Sequence, residues 1–132
     1  TPKMGFLKGK VSRVDGLGCE VQLDAGTRIT LPLSGASLSV GGAVTLGIRP
    51  EHLELAKPGD CTLQVTADVS GRLGSDTFCH VRTSSAEALT LRVRGDLASR
   101  YGETLSLHLD AQHCHLFDAD GVALTRPLRV AA

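Results

Sequence analysis

Aromatic residues are scarce in this chain: three Phe, one Tyr and no Trp among 132 residues. Single-stranded nucleic-acid binding leans on aromatic rings under the bases, so this scarcity argues against it. Charge of one sign is missing too. Lys and Arg number 14, Asp and Glu number 14, and the net charge is zero. Proteins that neutralise phosphate backbones usually carry a basic surplus. No apolar run approaches the about 20 residues that a membrane-spanning helix needs. No Gly-x-x-x-x-Gly-Lys-Ser/Thr loop occurs, so the backbone cradle and lysine of phosphoryl transfer are absent and the chain reads as a non-enzyme. The four cysteines, Cys19, Cys61, Cys79 and Cys114, form no Cys-x-x-Cys pair. No signal peptide is visible, and Cys19, Cys61 and Cys79 sit in apolar or alternating runs. Reduced, mostly buried thiols in a cytoplasmic protein are expected.

What is present is alternation. Lys10–Val14, Cys19–Asp24, Thr27–Leu31 and Ala43–Arg49 read as half-buried strands, separated by turns at Asp15-Gly16, Ala25-Gly26 and Gly41-Gly42. Lys57-Pro58-Gly59-Asp60 is the strongest breaker. Beyond it, Thr62–Leu73 reads as a long strand bent near Ser70-Gly71. Thr77–Arg82, Leu89–Arg94, Thr104–Leu109 and His115–Asp118 read as further strands. Only Gly95–Tyr101 suggests helix, with Asp96 as its cap. The expected fold is all-β: two small oligonucleotide-binding (OB)-like half-barrels packed together, residues 1–56 and 57–132, with at most one short helix. No repeat in the sequence is close enough to establish a duplication.

Three constellations invite chemistry, and each has a plainer reading. Arg49-Pro50-Glu51-His52 offers a cation, a carboxylate and an imidazole. The plainer reading is a turn locked by Pro50, with Arg49 and Glu51 paired to neighbours and His52 free to face elsewhere. The functional version is Arg49 bridging the half-barrels or a dimer partner. His113-Cys114-His115, with His108 nearby, offers zinc ligands, but the spacing fits no zinc ribbon. A strand here would place residues 113 and 115 opposite Cys114. Gly71, Gly74 and Ser75-Asp76-Thr77 offer backbone amides to a small anion, or else form a turn or bulge. Phe6, Phe78, Tyr101 and Phe117 are expected to fill the core.

Four stretches together resemble one family. Thr1-Pro2-Lys3-Met4-Gly5-Phe6-Leu7 resembles a junction motif of carbohydrate-importer ATPases, with Gly5 where Asn is usual. Leu46-Gly47-Ile48-Arg49-Pro50-Glu51-His52-Leu53 is similar to the family's most recognisable string. Leu73-Gly74-Ser75-Asp76-Thr77 and Cys114-His115-Leu116-Phe117-Asp118 complete the series in the same order. The family is the ATP-binding subunit of maltose-, polyol- and glycerol-phosphate-type ABC importers, and the part covered is its C-terminal regulatory region.

The resemblance implies a module that works through protein contacts. Its partners would be a second copy in a homodimer, its own ATPase domain, the membrane permease subunits through that domain, and in some members a regulatory protein. It implies a cytoplasmic place, peripheral to the membrane. It implies no cofactor within this segment, ATP and Mg belonging to the N-terminal part. The start at Thr1 is read as that of an excised domain. The interface candidates are Phe6, Gly47, Arg49, Pro50, Glu51 and His52 in the first half. Leu73, Gly74, Asp76, Thr77, His115 and Phe117 are those in the second. The rival expectation is a domain sensing an oxyanion or other small solute.

Overall fold

In a computed structural model of the chain, residues 3–16, 18–34, 37–73, 76–94 and 102–124 are described, those at 69–73, 76–77 and 93–94 by their backbone. The helix expected at Gly95–Tyr101 lies outside these residues, as do Gly74 and Ser75.

Alternating apolar residues set the strands. In β1 (Gly5–Asp15) Leu7, Gly9 and Val11 point inward, while Phe6, Lys8 and Lys10 point outward. The remaining strands are β2 (Gly18–Leu23), β3 (Arg28–Leu31), β4 (Ala43–Ile48), β5 (Glu54–Leu55), β6 (Thr62–Leu73), β7 (Asp76–Thr83), β8 (Ala88–Arg94), β9 (Thr104–His108) and β10 (His115–Phe117). The expected strands are all found, with ends shifted by a few residues. β1 starts earlier than the alternation from Lys10 suggested, because Gly5–Lys10 pairs along β4. β5 was not expected: it has two residues, both exposed, and no pattern to read.

The strands form two antiparallel five-stranded sheets, ordered β10-β4-β1-β2-β3 and β5-β9-β6-β7-β8. The two orders are the same plan drawn twice, with β6 to β9 repeating β1 to β4. The registers repeat with it. Val11 pairs Val21 and Val14 pairs Cys19 in the first sheet; Ala67 pairs Val81 and Ser70 pairs Cys79 in the second. Leu7 faces Leu46 as Leu63 faces Leu107. A bulge interrupts β1 between Val11 and Arg13, and its counterpart lies between Ala67 and Val69 in β6. The bend in β6 is therefore at Asp68, not at the expected Ser70-Gly71. An inserted residue re-aims a strand without needing glycine.

The duplication extends to the turns. Gly41 and Gly102 have φ of 88° and 84° and each donates its N–H to the bulged strand, to Val11 and Ala67 respectively. Gly26 and Ala86 likewise hold φ of 104° and 66° in matching turns. The internal repeat is thus a matter of backbone and register, which a sequence comparison of the halves does not detect.

Each repeat gives its fifth strand to the other. β5 follows the first four strands yet pairs with β9 of the second sheet; β10 ends the second set yet pairs with β4 of the first. A division at residues 56 and 57 is therefore crossed twice, because the short strand after each fourth strand finds its open ladder edge on the opposite sheet. Both crossings are made by one 3₁₀ turn, Pro50–His52 and Ala111–His113.

One contiguous core results, including Leu7, Leu46, Leu116, Leu63, Leu91 and Leu107, each 0% exposed. Burying each such Leu contributes about 1.5–3 kcal/mol. Hydrogen bonds also join the sheets. The Thr27 hydroxyl donates to the Thr62 carbonyl at 2.8 Å, and the Lys8 N–H donates to the Glu87 carboxylate at 2.5 Å. Gly5 has a role here. A Cβ at this position would lie 2.5 Å from Leu89 Cδ2, so the bare glycine lets the Leu89 side chain of β8 approach β1.

Candidate functional site

Four of the motif residues meet on the outer face of the first sheet. Phe6 of β1 stands opposite Gly47 of β4, which in turn faces His115 of β10. Gly47 is buried although it faces outward. A Cβ there would come within 2.5 Å of Met4 Sδ and 3.0 Å of Phe117 Cε2, so the missing side chain makes room for both. The Phe6 and Phe117 rings meet edge to face, centroids 6.0 Å apart, a favourable aromatic arrangement. Phe6 remains 51% exposed. The expectation that it fills the core is corrected: its strand parity points it away from Leu7 and Val11. The result is a surface patch of Met4, Phe6 and Phe117 around Gly47. An exposed apolar cluster is a mark of contact surfaces.

The Arg49–His52 string forms the first crossing turn. Pro50 begins it and is buried, while Arg49 and Glu51 are exposed. The turn closes with the His52 N–H donating to the Arg49 carbonyl at 2.9 Å. Among the described residues neither Arg49 nor Glu51 has an ion-pair partner. Among these residues the expected pairing with neighbours is not found, because the turn holds both side chains outward, and Arg49 bridges none of them.

His52 turns inward and stacks on His113 of the second crossing turn. The rings are 4.1 Å apart and 19° from parallel. The stack joins the equivalent last residues of the two 3₁₀ turns, stitching the two points where the chain changes sheets. Sequence reasoning missed this pairing, since nothing local connects residues 52 and 113. The Asp110 carboxylate caps the second turn by accepting from the Gln112 N–H at 3.0 Å, and it also meets His113 Nδ1 at 3.0 Å. The backbone N–H of Gln112 and then the imidazole of His113 hold the Asp110 carboxyl below its usual range. His108 Nδ1 lies 3.6 Å from Asp60, an ion-pair distance too long for a hydrogen bond.

His113, Cys114 and His115 do not form one strand as expected. His113 ends the turn, Cys114 is 1% exposed, and His115 opens β10 on the surface. Among the described residues no group of three or more His, Cys, Asp or Glu is placed to hold a metal ion. Nor is there a disulfide. Burial pushes the Cys19 and Cys61 thiols up, away from nucleophilic thiolate. Leu73 and Thr77 pair with Asp76 and Arg72 in the β6–β7 hairpin. Gly74 lies outside the described residues.

A groove of about 320 Å³ adjoins the aromatic patch. Lys8 and Lys10 of β1 and Thr45 of β4 line it, between Asp24 at one end and Asp118 at the other. No sequence motif marked it, because its residues lie in four separate segments.

Comparison with known proteins places this architecture. The TOBE domain family matches residues 46–117, and the MalK OB fold domain matches residues 1–53. The maltose/maltodextrin import ATP-binding protein MalK of Yersinia pestis is 34% identical over 127 residues, covering 96% of this chain and 34% of MalK. The sn-glycerol-3-phosphate import ATP-binding protein UgpC of Chromohalobacter salexigens is 45% identical over 125 residues, 92% of this chain and 32% of UgpC. The chain thus spans about a third of the length of these relatives. Among solved structures, the cytoplasmic molybdate-binding protein ModG with molybdate bound superposes with a TM-score of 0.72 at 16% identity, over 89% of this chain and 94% of that one. That likeness is one of fold. With two OB-like sheets in register-matched duplicate and matches that run nearly end to end, the chain belongs to the TOBE domain family, and its residues 1–53 match the MalK OB fold domain.

Proposed function

We propose that this chain is the regulatory and dimerisation module of an ABC-importer ATP-binding subunit for a sugar, polyol or related solute. It acts by touching other proteins and carries no catalysis of its own; ATP and Mg are handled by the ATPase domain of the same subunit. The observation that carries this reading is the alignment with MalK and UgpC over 96% and 92% of the chain. The patch of exposed Phe6 with half-buried Met4 and Phe117, and the outward Arg49, which has no ion-pair partner among the described residues, supply surfaces for such contacts. No described helix is long and apolar enough to cross a membrane. A cytoplasmic place, held at the membrane through permease subunits, completes the reading.

The test is made on the ATP-binding subunit that carries this region. Deleting the region is expected to leave ATP binding intact while nucleotide-free subunits fall apart in sedimentation equilibrium. Arg49→Ala is expected to weaken that association without lowering the melting temperature. Truncated subunits that still associate without nucleotide would refute the proposal.

A further inference from the structure

The duplicated fold carries its own comparison, because each outward position of the first sheet has a counterpart in the second. Lys8 faces Thr45 across the β1–β4 ladder; the equivalent pair across β6–β9 is Gln64 and Ser106. Gln64 Nε2 donates to Ser106 Oγ at 2.8 Å, and the Ser106 hydroxyl lies 3.0 Å from Gln64 Oε1. The second sheet therefore satisfies this row internally with neutral groups. The first sheet does not. Among the described residues, neither the Lys8 nor the Lys10 ammonium has an ion-pair or hydrogen-bond partner, and the Thr45 hydroxyl has none. Lys10 is opposite Ala43, where the second sheet pairs Thr66 with Thr104. One repeat thus carries two cations where the other carries none.

The two ammoniums stem from one face of one strand, about 7 Å apart at the backbone. Their repulsion is relieved by a shared anion, and lysine is a common point-charge partner for phosphate. The surrounding carboxylates are not equivalent competitors. Asp118 Oδ1 already accepts the N–H groups of Asp120 and Val122, both at 2.9 Å. The Glu87 carboxylate is held by the Lys8 N–H and the Ser85 hydroxyl. Asp24 and the remaining Asp118 oxygen stay open as acceptors at the two ends of the groove, where they suit hydroxyl donors. Ala43, Val44 and Gly9 line the groove between them, and its volume of about 320 Å³ admits a small solute.

We propose that this groove binds a small phosphorylated polyol, with the phosphate between Lys8, Lys10 and Thr45 and its hydroxyls toward Asp24 and Asp118. The site adjoins the Phe6–Phe117 patch without sharing a residue with it, and would give the module a solute input of its own. The test is titration calorimetry of the 132-residue chain at low salt with sn-glycerol 3-phosphate, inorganic phosphate and glycerol. Glycerol phosphate is expected to bind at least roughly threefold tighter than inorganic phosphate, and glycerol not to bind. Lys8→Gln and Lys10→Gln, both at exposed positions, should each weaken binding about tenfold with unchanged melting. Gln64→Ala, in the duplicate row, should leave affinity unchanged. No heat from glycerol phosphate at millimolar concentration would overturn the proposal. So would equal affinity for inorganic phosphate, or lysine variants that bind as the parent does. Subunit association is not read in any arm, so failure here leaves the dimerisation reading standing.

Discussion

The exchange of fifth strands makes an asymmetric prediction about two equivalent leucines. Leu116 on β10 is fully buried and stands in register with Leu46, itself paired with Leu7. Leu55 on β5 holds the matching place against Leu107, yet it is 38% exposed. Leu116→Ala removes buried methyl groups and leaves a cavity, at a cost of about 2–5 kcal/mol. Because β10 is an edge strand that can settle, about 3 kcal/mol is expected. Leu55→Ala gives up only part of a leucine's burial, about 1 kcal/mol. For a chain of this size 1 kcal/mol moves Tm by about 4 °C, so the two variants should melt about 12 °C and about 4 °C below the parent. The chain has no Trp, so unfolding is best followed by far-UV circular dichroism and calorimetry. Both sheets should melt in one transition, since each depends on a strand from the other half. Equal losses at the two leucines, or separate melting of the two sheets, would refute the reasoning.

Two further predictions concern single turns. Ala86 holds φ of 66° where its counterpart is Gly26. Relief of the left-handed penalty, about 1–2 kcal/mol, outweighs the added unfolded-state entropy of glycine, about 0.4–1 kcal/mol. Ala86→Gly should therefore stabilise by about 0.5 kcal/mol in urea denaturation, and a loss above about 1 kcal/mol would contradict it. Asp110 has a folded pKa below its ordinary 3.8, so its contribution is complete above that pH and is lost as pH falls through the folded value. Asp110→Asn keeps a capping side chain but loses the charge beside His113. Its melting temperature should fall less than the parent's as pH drops below about 4; parallel curves would show that the carboxylate contributes nothing.

Alternation made the strands legible, because period-two burial is written in adjacent residues. Leu7, Val11, Val21 and Leu46 announce their inward faces without reference to anything distant. The short motifs carried the family, and the structure gathers Phe6, Gly47, His115 and Phe117 onto one face. Phe6 was misjudged as core because scarcity of aromatics says nothing about which side of a strand a ring takes. The bulge at Asp68 was misplaced because a glycine nearby drew the inference.

Local pattern alone determined the all-β class, the strand positions and the absence of a phosphate loop. Those depend on neighbours in sequence, and neighbours are what a sequence displays. The duplication, the exchanged strands, the His52–His113 stack and the Lys8–Lys10–Thr45 groove were decided by tertiary structure. Each is a meeting of residues far apart in the chain, fixed by which ladder edge was open to which strand, and no local periodicity encodes that choice.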